Sequence, residues 1–375
     1  MQLPGLIIGA GIGGTAAAIA LRNTGINCRL FEQAPQSREA GAGITLWANA
    51  IKAIERLGLR RAYDQISCPA GASLYDSDGR LLLAGGQLSA EFNPVATVVH
   101  RGELLDMLVD AYGRDGIKYG ARCIGIDQSG DKVVASFEDG SRVEGEFIIG
   151  ADGLHSVVRE HLFGVEKPVY AGYTAWRAIV EHRLDEEKPG ERWGPGGRFG
   201  YIPMTKGRTL WFATLNVAEH RRAPHGEKAL LLERFGDWRG PVRQLIERTS
   251  ESAILRNEVY DRPPLLSWTR GRVTLLGDAA HAIAPVLGQG ACLALEDAVV
   301  LAQCLRSETN TREALMEYER RRLPRANFFI RQARIVGSFG QLRSPLLVGL
   351  RNMLVRSLYS SSAPTAIKQM LTVEL

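Results

Sequence analysis

The chain opens with an apolar run, Leu3–Ile8, that is cut by Gly9-Ala10-Gly11-Ile12-Gly13-Gly14 and resumes as small apolar residues to Asn23. That pattern predicts a buried strand, a tight turn and a helix. "TGIN" is a turn, and Cys28–Phe31 is a second strand ending at Glu32. "REAGAGITLWANAIKAIERLGL" reads as a glycine turn followed by an amphipathic helix through about Leu57, and "PVATVVHRGELLDMLVDAYG" as a strand, Arg101 and a helix. "VVASFEDGSRVEGEFIIGADG" reads as a hairpin turning at Asp139-Gly140 and leading into a buried strand, Phe147–Gly150.

From Gly172 to about Arg262 the texture changes. Short aromatic runs ("YTAWRAIV", "RFGYIP", "TLWFATLN") are divided by Pro, Gly and charge, which predicts antiparallel sheet. "RVTLLGDAA" then returns as a buried strand feeding a second glycine turn and a long helix, and the chain after Thr311 reads as helical. The fold class expected is therefore α/β, α+β overall: a Rossmann-like nucleotide domain (1–75, 97–170 and 263–325) interrupted by an antiparallel-sheet substrate domain (76–96 and 171–262), with a helical C-terminal segment (326–375).

With 375 residues, 45% hydrophobic and 23% charged, the chain suits a soluble globular protein of two domains sharing a core. Five scattered Cys without CxxC spacing argue against a disulfide framework or zinc knuckle and for a reducing, cytoplasmic setting. The glycines that interrupt Leu3–Leu21, and the lack of a basic segment before it, argue against a signal peptide. The net charge of +5 is uneven: Arg320 to Val373 holds nine Arg and one Lys with no Asp or Glu. A basic helical tail packed on an acidic face of its own protein is one reading, and a weak peripheral contact with anionic membrane is the other. "SPLLVGLRNMLVRSLY" spaces Leu346, Leu350, Leu354 and Leu358 for an amphipathic helix whose stripe is expected to pack on the protein. No nucleic-acid signature and no metal-ligand spacing accompany the charge, and a monomer or a homodimer fits equally.

Strand, glycine turn, helix and a second strand ending in an acid form the dinucleotide fingerprint. Gly9 permits the turn, Gly11 lets backbone approach the pyrophosphate, Gly14 lets helix and strand pack, and Glu32 is placed to accept from a ribose hydroxyl. The second turn, "GDAAHAIAPVLGQGACLALED", suits the other end of such a cofactor. Asp278 can accept from a sugar or ribityl hydroxyl, and Pro285 offers a rigid flat surface. Gly288, Gln289 and Gly290 present bare amides to a carbonyl that gains negative charge on reduction. A flavin meets that description and a nicotinamide does not, so the cofactor expected is non-covalent FAD.

"GAGIGG…FEQ" at 9–33, "GADGLHSVVRE" at 150–160 and "GDAAHAIAPVLGQGACLALED" at 277–297 together resemble the single-component FAD-dependent aromatic hydroxylases of the p-hydroxybenzoate and salicylate hydroxylase type, with the urate hydroxylase and zeaxanthin epoxidase-like branch. The likeness covers roughly residues 3–335. It implies an FAD-dependent monooxygenase in which NAD(P)H, as a transient co-substrate, reduces the flavin and O2 adds to give a C4a-hydroperoxide. That species hydroxylates an aromatic or similar electron-rich small molecule. The resemblance places Arg38 and Arg101 along the FAD pyrophosphate and ribityl. Asp152 and Gly153 fall in the motif supporting FAD and nicotinamide, and the Gly288–Ala291 amides face the ring. Ile12, Gly13, Gln33, Gly43, Thr45 and Cys123 complete the expected cofactor set. A surface salt bridge for Arg38 or Arg101, a helix cap for Asp152 and a structural hydrogen bond for His281 remain the plainer readings. Arg177, Arg198, Tyr201, Trp211 and Phe212, with Pro285, are the candidate substrate-lining residues, and no catalytic side chain is assigned. The competing functions are an epoxidase or hydroxylase of a membrane-borne polyene or quinone-like lipid, and a non-catalytic flavin-binding sensor.

Overall fold

The computed structural model describes residues 3–36, 41–71, 73–84, 92–184, 189–358, 368 and 370–375. Its nucleotide-domain sheet has six strands in the order Thr269–Arg270, Val273–Leu275, Ile148–Gly150, Gly5–Ile8, Cys28–Phe31 and Ile117–Lys118. The four central pairings are parallel and only the Thr269–Arg270 edge is antiparallel. Leu6, Ile7, Leu30, Ile148, Ile149 and Leu275 are buried because helices pack on the sheet and the three-stranded antiparallel sheet Cys123–Ser129, Lys132–Phe137 and Arg142–Gly145 packs against it too, with Phe137 on Phe31 and Gly145 against Leu6. That is why these strands read as unbroken apolar runs. The helix Ile12–Asn23 packs beside the helix Gly290–Ser307, so the two glycine turns that start these helices lie on neighbouring elements. A Cβ on Gly13 would meet Leu276 Cδ2 at 2.7 Å and Ala294 Cβ at 3.2 Å. Gly13 therefore serves this close packing.

The second sheet has seven strands, ordered Leu255–Asp261, Val169–Val180, Thr209–Leu215, Gly197–Pro203, Gly190–Gly194, Ser73–Asp76 and Leu81–Leu83. Its outer face is covered by the helices Glu227–Phe235 and Val242–Arg248 around Trp176, Phe199, Tyr201, Trp211 and Phe235. Its inner face meets the nucleotide domain: Ile202 and Leu210 pack on Ala42 and Val98, and Tyr173 and Ala175 on Ala284.

Two sequence expectations are corrected. The stretch before Ala48 is not only a turn, because Gly43–Trp47 is a strand paired antiparallel with Ala96–His100. The leucine stripe of the helix Pro345–Leu358 does not pack inward. Leu346 is 82% exposed and Leu350 47%, while Val348, Arg351 and Val355 form the buried side. The side chain of Leu358 lies outside the described residues. Four arginines of the tail meet acids at 2.6–2.8 Å: Arg320 with Glu317 on its own helix, Arg322 with Glu296 and Asp297, Arg325 with Glu296, and Arg334 with Asp261.

Candidate cofactor and substrate site

The first glycine turn is built by steric necessity. Gly9 sits at φ +105°, where a Cβ would lie 2.4 Å from the Ala151 carbonyl oxygen, and a Cβ on Gly14 would lie 1.9 Å from the Gly9 carbonyl oxygen. Over Gly11 nothing lies within 4 Å of that position, so the turn has one open side, above the uncapped start of the helix at Ile12. Free N–H groups beside open space form an anion cradle. The Glu32 carboxylate accepts from the Ala10 amide at 2.9 Å and the Ala34 amide at 2.8 Å, tying the turn to the second strand. A carboxylate has about four lone-pair sites, so acceptor capacity remains for a ribose.

The second turn is equally specific. Gly288 is left-handed at φ +63°, with the Trp47 indole Nε1 3.1 Å from where a Cβ would stand, and that indole donates to the Leu287 carbonyl at 3.1 Å. The helix from Gly290 has no side-chain cap on its first amides. Asp278 lies 3.7 Å from the Cβ position of Gly290 and accepts no hydrogen bond among the described residues. Solvent reaches its carboxylate, yet protein surrounds it closely enough to raise its pKa, with His281 and Arg101 pulling the other way. A carboxylate in a cleft, left without a donor, fits a sugar or ribityl hydroxyl. Pro285 is exposed at the start of a short 3-10 turn.

Arg101 is exposed at the first position of the helix Arg101–Tyr112 and forms no ion pair among the described residues. It lies near Arg177, whose pKa is held below the arginine range by burial and then by Arg101. Arg101 acts on both Arg177 and Asp278, and two cations beside one acid are suited to an anionic ligand. Asp152 caps the helix Val157–Phe163, accepting from the Val157 amide at 2.8 Å and the Ser156 hydroxyl at 2.5 Å. Gly153 follows at φ +79°. Gly43 is explained by packing, since a Cβ there would meet Leu210 Cδ2 at 2.6 Å. Thr45 lies on the same strand. The Cys123 thiol is buried toward the Gly125 carbonyl and Gln33 is exposed. Arg38 lies outside the described residues. Gln289 is buried and Ala291 half-buried at the start of the second helix.

Strand alternation divides the substrate candidates. Arg177 pairs across strands with Phe212, and Phe212 with Gly200, so these positions share the inner face with Arg198 and Thr214. Phe212 rests its ring over Gly200, and Arg177 and Phe212 are half-buried toward the cleft. Tyr201 and Trp211 face the opposite way. They pair with each other on the outer face, where Trp211 donates to the Thr249 hydroxyl at 2.9 Å and Tyr201 binds Arg192 at 3.0 Å. They do not line the inner face. Both faces of this sheet are covered, so the apolar pattern gave no sign of which side was which.

The sequence reading missed the groups around Arg198. Arg198 is buried, donates from Nε to the Thr214 hydroxyl at 3.2 Å, pairs with Glu191 at 3.3 Å and lies over the Tyr173 ring. Gln341 donates to the same Thr214 hydroxyl at 2.7 Å. The Tyr173 hydroxyl, the Gln341 Oε1, the Trp193 indole N–H and the Arg177 Nε are buried without hydrogen-bond partners among the described residues. Buried polar atoms are nearly always satisfied, so several orphans gathered beside one face point to a missing ligand or water. Burial pushes the Tyr173 phenol up, with Arg198 opposing, so it stays a donor at neutral pH.

Behind the second turn lies a buried charge network that the sequence also left unread. Asp297 accepts from Arg322 at 2.7 Å and the Gly277 amide at 3.2 Å, and meets His281 Nε2 at 2.6 Å. Burial alone would raise its pKa, but His281 and Arg322 hold it down at about 2. Glu296 binds Arg322 and Arg325, and Asn49 donates to both Glu296 and Gln289. His281 is thus a structural partner of Asp297, and the turn residue Gln289 is held from below.

The chain matches the FAD binding domain family over residues 2–333. It is 38% identical over 366 residues to an aurachin C monooxygenase/isomerase of Stigmatella aurantiaca, covering 95% of this chain and 94% of that protein. It is 35% identical, with the same coverage, to a 2-heptyl-3-hydroxy-4(1H)-quinolone synthase of Pseudomonas aeruginosa. Among solved structures it superimposes on Klebsiella pneumoniae HpxO complexed with FAD and uric acid with a TM-score of 0.88, at 30% identity, covering 98% of this chain and 96% of that one.

Proposed function

The chain belongs to this FAD-binding family of single-component hydroxylases and monooxygenases, and we propose that it uses NAD(P)H and O2 to hydroxylate a bicyclic nitrogen heteroaromatic of the quinolone or urate kind. FAD, when bound, supplies the redox chemistry, accepting hydride from NAD(P)H and activating O2. The residues present fit it: the open cradle over Gly11 with Glu32 for the adenosine end, and Asp278 with the Gly288–Gly290 amides for the flavin end. The chain's own part is to hold the substrate flat against the inner face, between Phe212 and the turn at Pro285, and to keep water out. Arg177 and Arg101 favour negative charge on the ligands in the cleft.

The observation that carries the choice of substrate class is the group of unpaired buried atoms beside that face. The phenol of Tyr173 calls for an acceptor and the amide oxygen of Gln341 for a donor, so a ring carrying both kinds of group complements the pair better than a carboxylate alone. A ring bearing both an N–H and a C=O offers both complements. The quinolone and uric acid named for two relatives carry such groups. Purified holoenzyme tested with 4(1H)-quinolones, urate, salicylate and p-hydroxybenzoate is expected to consume NAD(P)H fastest with the heteroaromatics. Stimulation by the benzoates alone would overturn the substrate class. Tyr173→Phe is expected to raise KM about tenfold or more, with a smaller change in kcat and no loss of melting temperature, because the hydroxyl has no partner in the fold.

A further inference from the structure

The helix Pro345–Leu358 turns its large apolar residues to solvent: Leu346 is 82% exposed, Leu347 46%, Leu350 47% and Met353 56%. At 3.6 residues per turn, Leu346, Leu350 and Met353 fall in one narrow stripe with Leu347 at its edge. The opposite side is fixed to the protein by Val348, Val355 and the buried Arg351, which donates to the carbonyls of Gly340 at 3.2 Å and Trp193 at 3.3 Å. The helix therefore cannot roll to hide its leucines without breaking those bonds. No Asp or Glu occurs between 344 and 358, and exposed arginines stand at both ends. Arg343 has no acidic partner among the described residues, and Arg356 meets Asp76 only at 3.5 Å. No helix among the described residues is long and apolar enough to cross a membrane.

We infer that this face docks the protein on the surface of an anionic bilayer, the helix lying in the interface plane with Leu346, Leu350 and Met353 inserted and Arg343 and Arg356 at the headgroups. An apolar stripe bracketed by cations, on a protein of net charge +5, complements an anionic interface better than a neutral protein groove. Scattered exposed leucines are ordinary, but a contiguous stripe on a rigid helix marks an interaction site. Four of the nine tail arginines, Arg320, Arg322, Arg325 and Arg334, are already held by acids, so the apolar stripe, helped by the two flanking arginines, carries the contact. The inner side of the same helix reaches Trp193, on the inner face of the substrate sheet. Docking would bring that end of the sheet to the lipid, where a lipophilic heteroaromatic partitions. That consequence depends on the proposed substrate, and the docking does not.

The test is flotation of the full-length, FAD-loaded protein with phosphatidylglycerol vesicles and with phosphatidylcholine vesicles. Binding to the anionic vesicles is expected, about tenfold or more tighter than to neutral ones. Leu346→Asp with Leu350→Asp should weaken it at least about tenfold while FAD content and melting temperature stay unchanged. Leu266→Asp, at a leucine that is 95% exposed outside this helix, should bind like the parent. Absence of flotation with anionic vesicles, or flotation indifferent to the double substitution, would overturn the inference. So would a dimer in size-exclusion light scattering that the double substitution dissolves, which would give the stripe to a second copy. Flavin reduction by NAD(P)H in solution should not change, so failure here and failure of the proposed chemistry are told apart.

Discussion

On the proposed reading, the two ends of the cofactor depend on two single residues, Gly288 and Glu32. Gly288→Val puts a β-branched side chain at φ +63° and a Cβ 3.1 Å from the Trp47 indole. Strain of this kind costs about 1–3 kcal/mol, small enough for the protein to fold but enough to displace the turn. The variant is expected to remain soluble yet bind FAD weakly or accept hydride slowly in stopped-flow reduction. Wild-type reduction kinetics would mean that the turn does not face the ring. Glu32→Ala removes charge-assisted bonds to the Ala10 and Ala34 amides as well as the acceptor for the ribose. A loss of about 1.5–3 kcal/mol corresponds to roughly ten- to a hundredfold weaker FAD binding, measurable by titration of the apoprotein. Gly288 was legible in the sequence because it answers a backbone constraint local to a turn, and Glu32 because it ends the second strand of the glycine-turn unit. Tyr173 and Gln341 were not, because an unsatisfied hydroxyl is a fact about what surrounds it in space.

The helix Gly290–Ser307 is held by charges at its middle, and this gives the element a pH signature. Asp297 is held at about 2, below its ordinary 3.8, by His281 and Arg322 against the opposing effect of burial. A carboxylate depressed in the folded state contributes stability that is fully present above the ordinary value and is lost as pH falls from about 4 toward 2. Acid unfolding in that window is therefore expected, and Asp297→Asn should flatten it. The same substitution removes the charged partner of His281 and leaves Arg322 with Glu296 alone, so a loss of about 1.5–3 kcal/mol in denaturant unfolding is expected. A loss under about 1 kcal/mol would show that the network is dispensable. At this scale the parallel strands, both glycine turns and the Asp139-Gly140 hairpin were readable from apolar runs and turn residues. The strand Gly43–Trp47 was missed because its run is short and flows directly into a helix. The facing of Tyr201 and Trp211 was unreadable because covered sheets erase the contrast between sides. The leucines of the helix Pro345–Leu358 were expected inside, yet the buried face holds two valines and an arginine.

The whole molecule is a nucleotide-binding sheet whose two glycine turns start on adjacent helices, closed by a second sheet that presents Arg177, Phe212 and Arg198 to them. Its five thiols are free. Burial pushes Cys28 and Cys123 up to about 11 and Cys292 up to about 12, so little thiolate is present at pH 8. A disulfide reagent is expected to react slowly with the native holoenzyme and with all five thiols after unfolding. Rapid reaction accompanied by loss of turnover would place a cysteine in the mechanism. The central claim is that this chain inserts an atom of O2 into a nitrogen heteroaromatic. Turnover of a 4(1H)-quinolone or urate with NAD(P)H under 18O2, read by mass spectrometry of the product, tests it most directly. One 18O atom per product molecule, formed in step with NAD(P)H consumption, is expected. NAD(P)H consumption that yields only reduced oxygen, or a product whose new oxygen comes from water, would contradict it.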